Sequence, residues 1–333
     1  MCGGRRGCNL RPASHSQPEG VLRVIVSASY RTDIPAFYAD WFMRRLAAGH
    51  CRVANPYGGS DYEVLLTPEA VDGFVFWTRN MRPLLPHLDA IRRVAPFVVQ
   101  FTLTGYPRAL ESSVIGVEEG VAQLRELRDR FGPRAAVWRY DPVVFAAGMH
   151  PETHCNGFAR LARGLAGAVD EVVLSVVTPY KKTRRNLDRA ARRHGFAWHD
   201  PPPEEKQELL SRLAAIGADR GMAPTLCSQP ELLVPGLGEA RCIDAQRLSD
   251  VAGRPIAARE SGNRPGCRCA LSRDIGAYDT CPHGCVYCYA VADRDRAVAN
   301  FRARDPEAEC LMPARKPVAT AQTLAATLAA SRS

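Results

Sequence analysis

Six short apolar runs recur along this chain, separated by stretches with helical spacing. The runs cover residues 21–29, 73–77, 97–103, 135–140, 171–177 and 222–227. The first, Val-Leu-Arg-Val-Ile-Val-Ser-Ala-Ser, is β-branched and apolar and reads as a buried strand. Pro35 marks a helix start after it, and Phe37, Tyr38, Trp41, Phe42 and Leu46 follow at helical spacing. Leu84, Leu85, Leu88 and Ile91 mark a second helix, Val117, Val121, Leu124 and Leu127 a third, and Phe158, Leu161 and Leu165 a fourth. A helical region then reaches His194, and another runs from about Pro203 to Asp219. Residues 53–56 and 62–67 read as short strands or a hairpin. Strand–helix alternation of this kind implies parallel strands joined by right-handed crossovers. The expected fold is therefore α/β: a partial (β/α)6 TIM-like barrel, with a full eight-stranded barrel as the alternative. Residues 21–228 form that unit. Residues 1–20, rich in Gly, Arg, Ser and Pro, are expected as a disordered arm. From about Pro230 the alternation dissolves. Residues 229–315 are expected as a cysteine-rich C-terminal extension closing over the barrel mouth, and 316–333 as a tail.

Polar residues gather where the predicted strands end. Arg31, Asp33, Thr78, Arg79, Asn80, Arg139 and Asp141 lie at or beside strand ends, and Gln100 and Thr102 interrupt an apolar strand. In parallel α/β folds ligands bind at the carboxyl ends of strands. Arg can clamp a carboxylate or phosphate, and Asp can hold a hydroxyl or an amine. Taken singly each is more often structural, and Arg31 with Asp33 reads equally well as an ion pair. As a set on one face they are candidate cofactor or substrate contacts.

Cysteine is the other marked feature. Six of the twelve cysteines fall between Cys242 and Cys288. Cys281-Pro282-His283-Gly284-Cys285-Val286-Tyr287-Cys288 sets three of them at C-x3-C-x2-C spacing. Three thiolates can hold three irons of a [4Fe–4S] cluster and leave the fourth iron open. Gly284 suits a backbone that turns closely around inorganic sulfide. The alternative is a zinc knuckle in which His283 is the fourth ligand, since closed zinc sites take four ligands. Cys227, Cys242, Cys267 and Cys269 precede this loop and are candidates for a second metal site, iron–sulfur or zinc. The blander reading of these four is buried small hydrophobes. Cys51, Cys155 and Cys310 are isolated and assigned to packing. Cys2 and Cys8 fall in the arm and stay unassigned.

No apolar run has membrane-spanning length, and Met1–Arg11 lacks the apolar core of a signal peptide. A cytoplasmic location is expected, where twelve cysteines point to metal or redox chemistry rather than disulfides. The formal charge of +9 favours acidic partners. Residues 181–193 form a basic stretch opposed only by Asp188. It can track a phosphate backbone, but no aromatic residue interleaves before Phe196, so nucleic acid is only weakly signalled. A solvated helix face is the plainer reading.

Ser27-Ala28-Ser29 with Arg31-Thr32-Asp33-Ile34-Pro35 opens a series of short matches. Phe76-Trp77-Thr78-Arg79-Asn80, Trp138-Arg139-Tyr140-Asp141-Pro142 and Tyr180-Lys181-Lys182-Thr183 follow, and Asp274-Ile275-Gly276-Ala277-Tyr278 leads into the 281–290 stretch. In this order they resemble the bacterial family called domain of unknown function 1848, over roughly residues 21–315. That family is grouped with radical S-adenosylmethionine (SAM) proteins through its C-terminal cysteines. The resemblance implies a [4Fe–4S] cluster on Cys281, Cys285 and Cys288, SAM on the open iron, and Tyr287 leaning on the adenine. It implies that the strand-end residues contact SAM or substrate, and that a reductant such as ferredoxin or flavodoxin supplies electrons. Reductive cleavage of SAM, starting radical chemistry on an unknown substrate, is the expected activity. Within the class, a DNA repair lyase resembling spore photoproduct lyase is an alternative. Outside it, the alternative is a non-enzymatic electron carrier or zinc-stabilised binding protein. Two departures stand out: the cysteine loop follows the last strand rather than the first, and no Gly-Gly-Glu motif for the SAM amino group is visible.

Overall fold

In a computed structural model of the chain, residues 23–55 and 60–312 are described. The expected arm, the tail, Cys2 and Cys8 lie outside them. The elements run β1 (Val24–Ala28), α1 (Ile34–Phe37), α2 (Ala39–Ala48), β2 (His50–Val53), β3 (Tyr62–Leu65) and β4 (Val71–Thr78). Next come α3 (Leu88–Val94), β5 (Phe97–Thr102), α4 (Val117–Phe131), β6 (Ala136–Val143), α5 (Pro151–Leu165) and β7 (Glu171–Val176). The chain continues through α6 (Lys181–His194), α7 (Pro203–Ala218), β8 (Ala223–Leu226), β9 (Gly238–Glu239), α8 (Ala245–Ala252), β10 (Ser272–Asp274) and α9 (Arg294–Arg302).

Eight strands form one sheet in the order β10-β1-β4-β5-β6-β7-β8-β9, and every neighbouring pair is parallel. The six strands expected from the sequence are its centre. Strands β2 and β3 make a separate antiparallel pair. The sheet is open: β9 and β10 are its edges and do not pair, so the eight-stranded closed barrel is not formed. Both edge strands come from the cysteine-rich extension, which is thereby built into the same sheet. They escaped sequence reading because Gly-Glu and Ser-Arg-Asp carry no hydrophobic period.

The two faces of the sheet have different characters. On one, Val26, Phe74, Phe76, Val99, Phe101, Trp138, Tyr140, Val172 and Leu174 pack with apolar residues of the helices, Leu88, Leu124, Phe158, Leu161 and Leu209 among them. Each such side chain, fully buried, contributes roughly 1.5–3 kcal/mol. On the other face, Ile25, Val75, Val98, Val137 and Val173 meet Ala240, Ile243, Leu248, Ile256 and Ala270 of the extension. Side chains alternate between faces along a strand. Two residues further on, this second face therefore carries Ser27, Trp77, Gln100, Arg139 and Ser175. It is apolar toward the amino ends of the strands and predominantly polar toward their carboxyl ends, where a parallel sheet binds its ligands.

Strand β10 is pinned by one carboxylate. Asp274 accepts from Ser27 Oγ at 2.8 Å, Ser29 Oγ at 2.8 Å, the Tyr30 and Gly276 amides at 3.0 Å, and Arg31 Nε at 2.7 Å. Arg31 also donates to the Asp274 carbonyl at 2.9 Å. Both side chains of this ion pair are buried. Arg31 is thus spent on holding the sheet edge, the ion-pair role with a partner other than Asp33. Removing one member of a buried pair leaves an uncompensated charge, which costs about 3–5 kcal/mol. Asp274→Ala is expected to lose that much in urea unfolding, and a loss below about 1 kcal/mol would show that the seam is held by other contacts.

Candidate functional site

Asp33 follows β1 and caps α1, accepting from the Ala36 amide at 2.9 Å as N-cap aspartates do. The same carboxylate takes Thr78 Oγ1 at 2.7 Å, the Arg79 amide at 2.8 Å and His283 Nε2 at 2.8 Å. It therefore joins the ends of β1 and β4 to the cysteine loop. His283 is buried, its ring edge meets Phe37 at 4.6 Å between centroids, and its Nδ1 lies 3.3 Å from the Ser113 carbonyl. Both ring nitrogens are occupied. A zinc knuckle with His283 as its fourth ligand would have to take one of these nitrogens from its partner.

Arg79 is the buried cation of the site. Its Nη2 donates to Glu111 Oε1 at 2.6 Å and Thr104 Oγ1 at 2.7 Å. Its Nη1 donates to the Tyr287 hydroxyl at 2.6 Å and to Cys285 Sγ at 3.4 Å. Tyr287 donates in turn to Glu111, and its ring meets Tyr106 edge-on. Tyr287 thus lies within the core network, its hydroxyl engaged by Arg79 and Glu111. Arg79 Nε is buried with no hydrogen-bond partner. A buried guanidinium donor without an acceptor, next to a cysteine sulfur, is the kind of gap that an anionic group fills.

The cysteine loop docks on the segment after β5. Glu111 bridges to Cys285, the Val286 amide donates to the Leu110 carbonyl at 3.0 Å, and the Ser113 amide donates to the His283 carbonyl at 2.9 Å. Gly284 has φ +75°, and a Cβ there would fall 2.2 Å from Ser112 Oγ. Its freedom therefore serves a turn pressed against the neighbouring segment. Burial pushes all three thiols up, Cys285 to about 12. Mutual repulsion among Cys281, Cys285 and Cys288 adds to the rise in Cys281, with Asp33 contributing first. Opposing this, the Ala290 amide donates to Cys288 Sγ at 3.3 Å, the Val291 amide also donates there, and the His283 amide donates to Cys281. Amide donors around crowded sulfurs favour thiolate once a cation is bound among them. Among the described residues, no group of three or more His, Cys, Asp or Glu side chains is arranged to hold a metal ion.

The other expected site residues divide. Thr78 joins Asp33, while Asn80 faces α4, accepting from Gln123 Nε2 at 2.9 Å. Gln100 and Arg139 lie deeper on the polar face. Gln100 Nε2 donates to the Cys242 carbonyl at 2.9 Å, and Arg139 Nη1 donates to Gln100 Oε1 at 3.1 Å and Cys242 Sγ at 2.8 Å. Asp141 accepts from Arg139 and Ser175. Thr102 is in register with Arg139. Two groups therefore emerge: Asp33, Thr78, Arg79 and the cysteine loop, and a second around Arg139 and Cys242. Cys51 and Cys155 are buried, and Cys310 is partly buried with its sulfur 3.8 Å from Asp61. Sequence reasoning passed over Glu111, Thr104 and Asp274. Glu111 and Thr104 sit in an irregular stretch after β5, and nothing in their sequence neighbourhood marks them. Asp274 stood in a quoted motif without a role.

No helix among the described residues is long and apolar enough to cross a membrane. No curated protein matches the chain, and no solved structure does. One family model aligns with residues 25–290, a span that takes in both ends of the sheet, the Asp33–Arg79 network and all three cysteines of the loop. The chain therefore belongs to the family described as Domain of unknown function (DUF1848).

Proposed function

We propose that the chain is a radical SAM-like [4Fe–4S] enzyme, built on a partial (β/α)6 barrel whose mouth is closed by the cysteine loop. The observation that carries this reading is the buried Arg79, its Nε unpartnered and its Nη1 3.4 Å from Cys285, beside three partly buried cysteines at the carboxyl ends of the strands, two of which accept from backbone amides. A cluster puts each thiolate on a different iron, so its sulfurs need not crowd round one point as they must for a single zinc ion. The residues suit such a group: Cys281, Cys285 and Cys288 would hold it. When bound, such a cluster would supply one-electron reduction of SAM, the chemistry that starts a radical reaction on substrate.

The chain's own residues have definite tasks in this reading. Arg79 offsets the charge of the Cys285 thiolate, and Glu111 holds Arg79 in place. Asp33 fixes His283, which seats the loop. Ser27, Gln100, Thr102, Arg139, Asp141 and Ser175 offer donors and acceptors on the adjoining face for a nucleoside or substrate. The helix α6 stands beside the loop, Arg185 donating to the Ala292 carbonyl at 3.0 Å, so the basic stretch lies next to the site.

Anaerobically purified protein is expected to be brown, with about four irons and four sulfides per chain from this site. With SAM and a chemical reductant it is expected to release 5′-deoxyadenosine, and Cys285→Ala is expected to abolish that product. A colourless zinc-loaded protein, or turnover retained in that variant, would overturn the reading. An iron-loaded protein that leaves SAM intact would support an electron carrier instead.

His283 provides a separate check. Because both its nitrogens are engaged, His283→Ala is expected to keep the iron-to-chain ratio of the parent while lowering thermal stability. Iron loss as complete as in Cys285→Ala would restore His283 as a ligand.

A further inference from the structure

Where the apolar half of the second sheet face meets its polar half lies a feature that an apolar core does not need. Four cysteines from separate parts of the chain meet there. Cys227 follows β8, Cys242 follows β9, and Cys267 and Cys269 lie in the loop before β10. Cys227 and Cys242 sulfurs are 3.5 Å apart. Cys269 lies close enough to both Cys242 and Cys267 for each to bear on its thiol. The four thiols therefore gather in one place, with Cys227, Cys242 and Cys269 buried and Cys267 partly so.

Three features set this group apart from ordinary packing. Two guanidinium groups point at it: Arg139 Nη1 at 2.8 Å from Cys242, and Arg264 Nη2 at 3.6 Å from Cys227. Arg139 is only 4% exposed and is paired with Asp141, the same carboxylate that acts on Arg264, so two guanidinium groups share one carboxylate beside these sulfurs. The Ile243 amide also donates to Cys269 Sγ at 3.4 Å. Lastly, the chain is folded tightly round Cys267: a Cβ on Gly262 would fall 2.1 Å from the Cys267 carbonyl and 2.8 Å from its Cβ. Buried thiols acting as small hydrophobes need no aimed cations. Sulfurs bearing negative charge do.

We propose that Cys227, Cys242, Cys267 and Cys269 form a second metal centre, ligated by four thiolates and separate from the Cys281 loop. The ligand is a thiophilic metal, taken up as zinc or as an iron–sulfur cluster. Four thiolates about 2.3 Å from one tetrahedral ion stand about 3.8 Å from each other, close to the observed spacing of Cys227 and Cys242. As the group stands, no three sulfurs are arranged to hold an ion. The proposal therefore requires the cysteine side chains to turn toward one point on binding, by changes of staggered rotamer rather than by movement of a strand. Arg139 and Arg264 then donate to ligating sulfurs, the kind of outer contact that sets the affinity or potential of a centre.

The test uses the full chain with Cys281, Cys285 and Cys288 all replaced by Ala, purified without oxygen. Zinc, iron and sulfide per chain are measured, together with the thiol count after unfolding. The proposal expects about one zinc, or about two to four irons with matching sulfide, to remain. Adding Cys242→Ser and Cys269→Ser should lower that content at least tenfold. Zinc would identify a structural centre and iron a redox one. A metal-free chain, with the four thiols free or with Cys227 and Cys242 disulfide-bonded, overturns the proposal. Should the triple variant not fold, Cys242→Ser/Cys269→Ser alone decides the matter. It must lose one centre's metal relative to the parent, and an unchanged content overturns the proposal. Failure of the radical reading reads differently, as no change in metal on removing the Cys281 loop.

Discussion

The Asp33 carboxylate is the point on which this site depends. It accepts from a first-turn amide of the helix it caps, a threonine hydroxyl, a strand-end amide and an imidazole, so four donors from three segments converge on one anion. A buried carboxylate is tolerable only when its oxygens are satisfied. Satisfying them ties β1 and β4 to the cysteine loop, which lies about 250 residues later in the chain. Asp274 repeats the device at the sheet edge, gathering hydroxyls, amides and Arg31. Glu111 repeats it once more with Arg79 and Tyr287. Three buried anions thus hold a long C-terminal extension against a regular α/β sheet.

This has a consequence for the late position of the cysteine loop. Order along the chain does not limit what can meet at the carboxyl ends of parallel strands. Strand β10 brings the returning chain alongside β1, and the loop begins seven residues after β10 ends. On the proposed reading, a loop that follows the first strand in the enzymes it resembles reaches the same end of the sheet here after the last strand. The extension also does more than close a mouth. Its residues 240–270 supply the second core, covering the sheet face that the helices leave bare.

Much of the sheet was legible before any coordinates. The six central strands announce themselves because each is buried on both faces and so carries a run of apolar residues. Polar residues at their ends were legible as a set but not as partners. Arg31 and Asp33 looked like an ion pair, yet Asp274 takes Arg31 while Asp33 takes Thr78, Arg79 and His283. Gln100 and Arg139 looked like contacts for a cofactor or substrate, and in the folded chain they meet Cys242.

The alternation of apolar runs and helical spacings determined an α/β chain with parallel strands, and cysteine spacing alone marked the 281–288 loop. Periodicity carries that information because burial imposes it locally, residue by residue. Which anion meets which cation, that both edge strands of the sheet are drawn from the extension, and that four dispersed cysteines gather in one place were decided only in the folded molecule. Those are contacts between residues tens to hundreds of positions apart, and long-range pairing leaves no period in a single sequence.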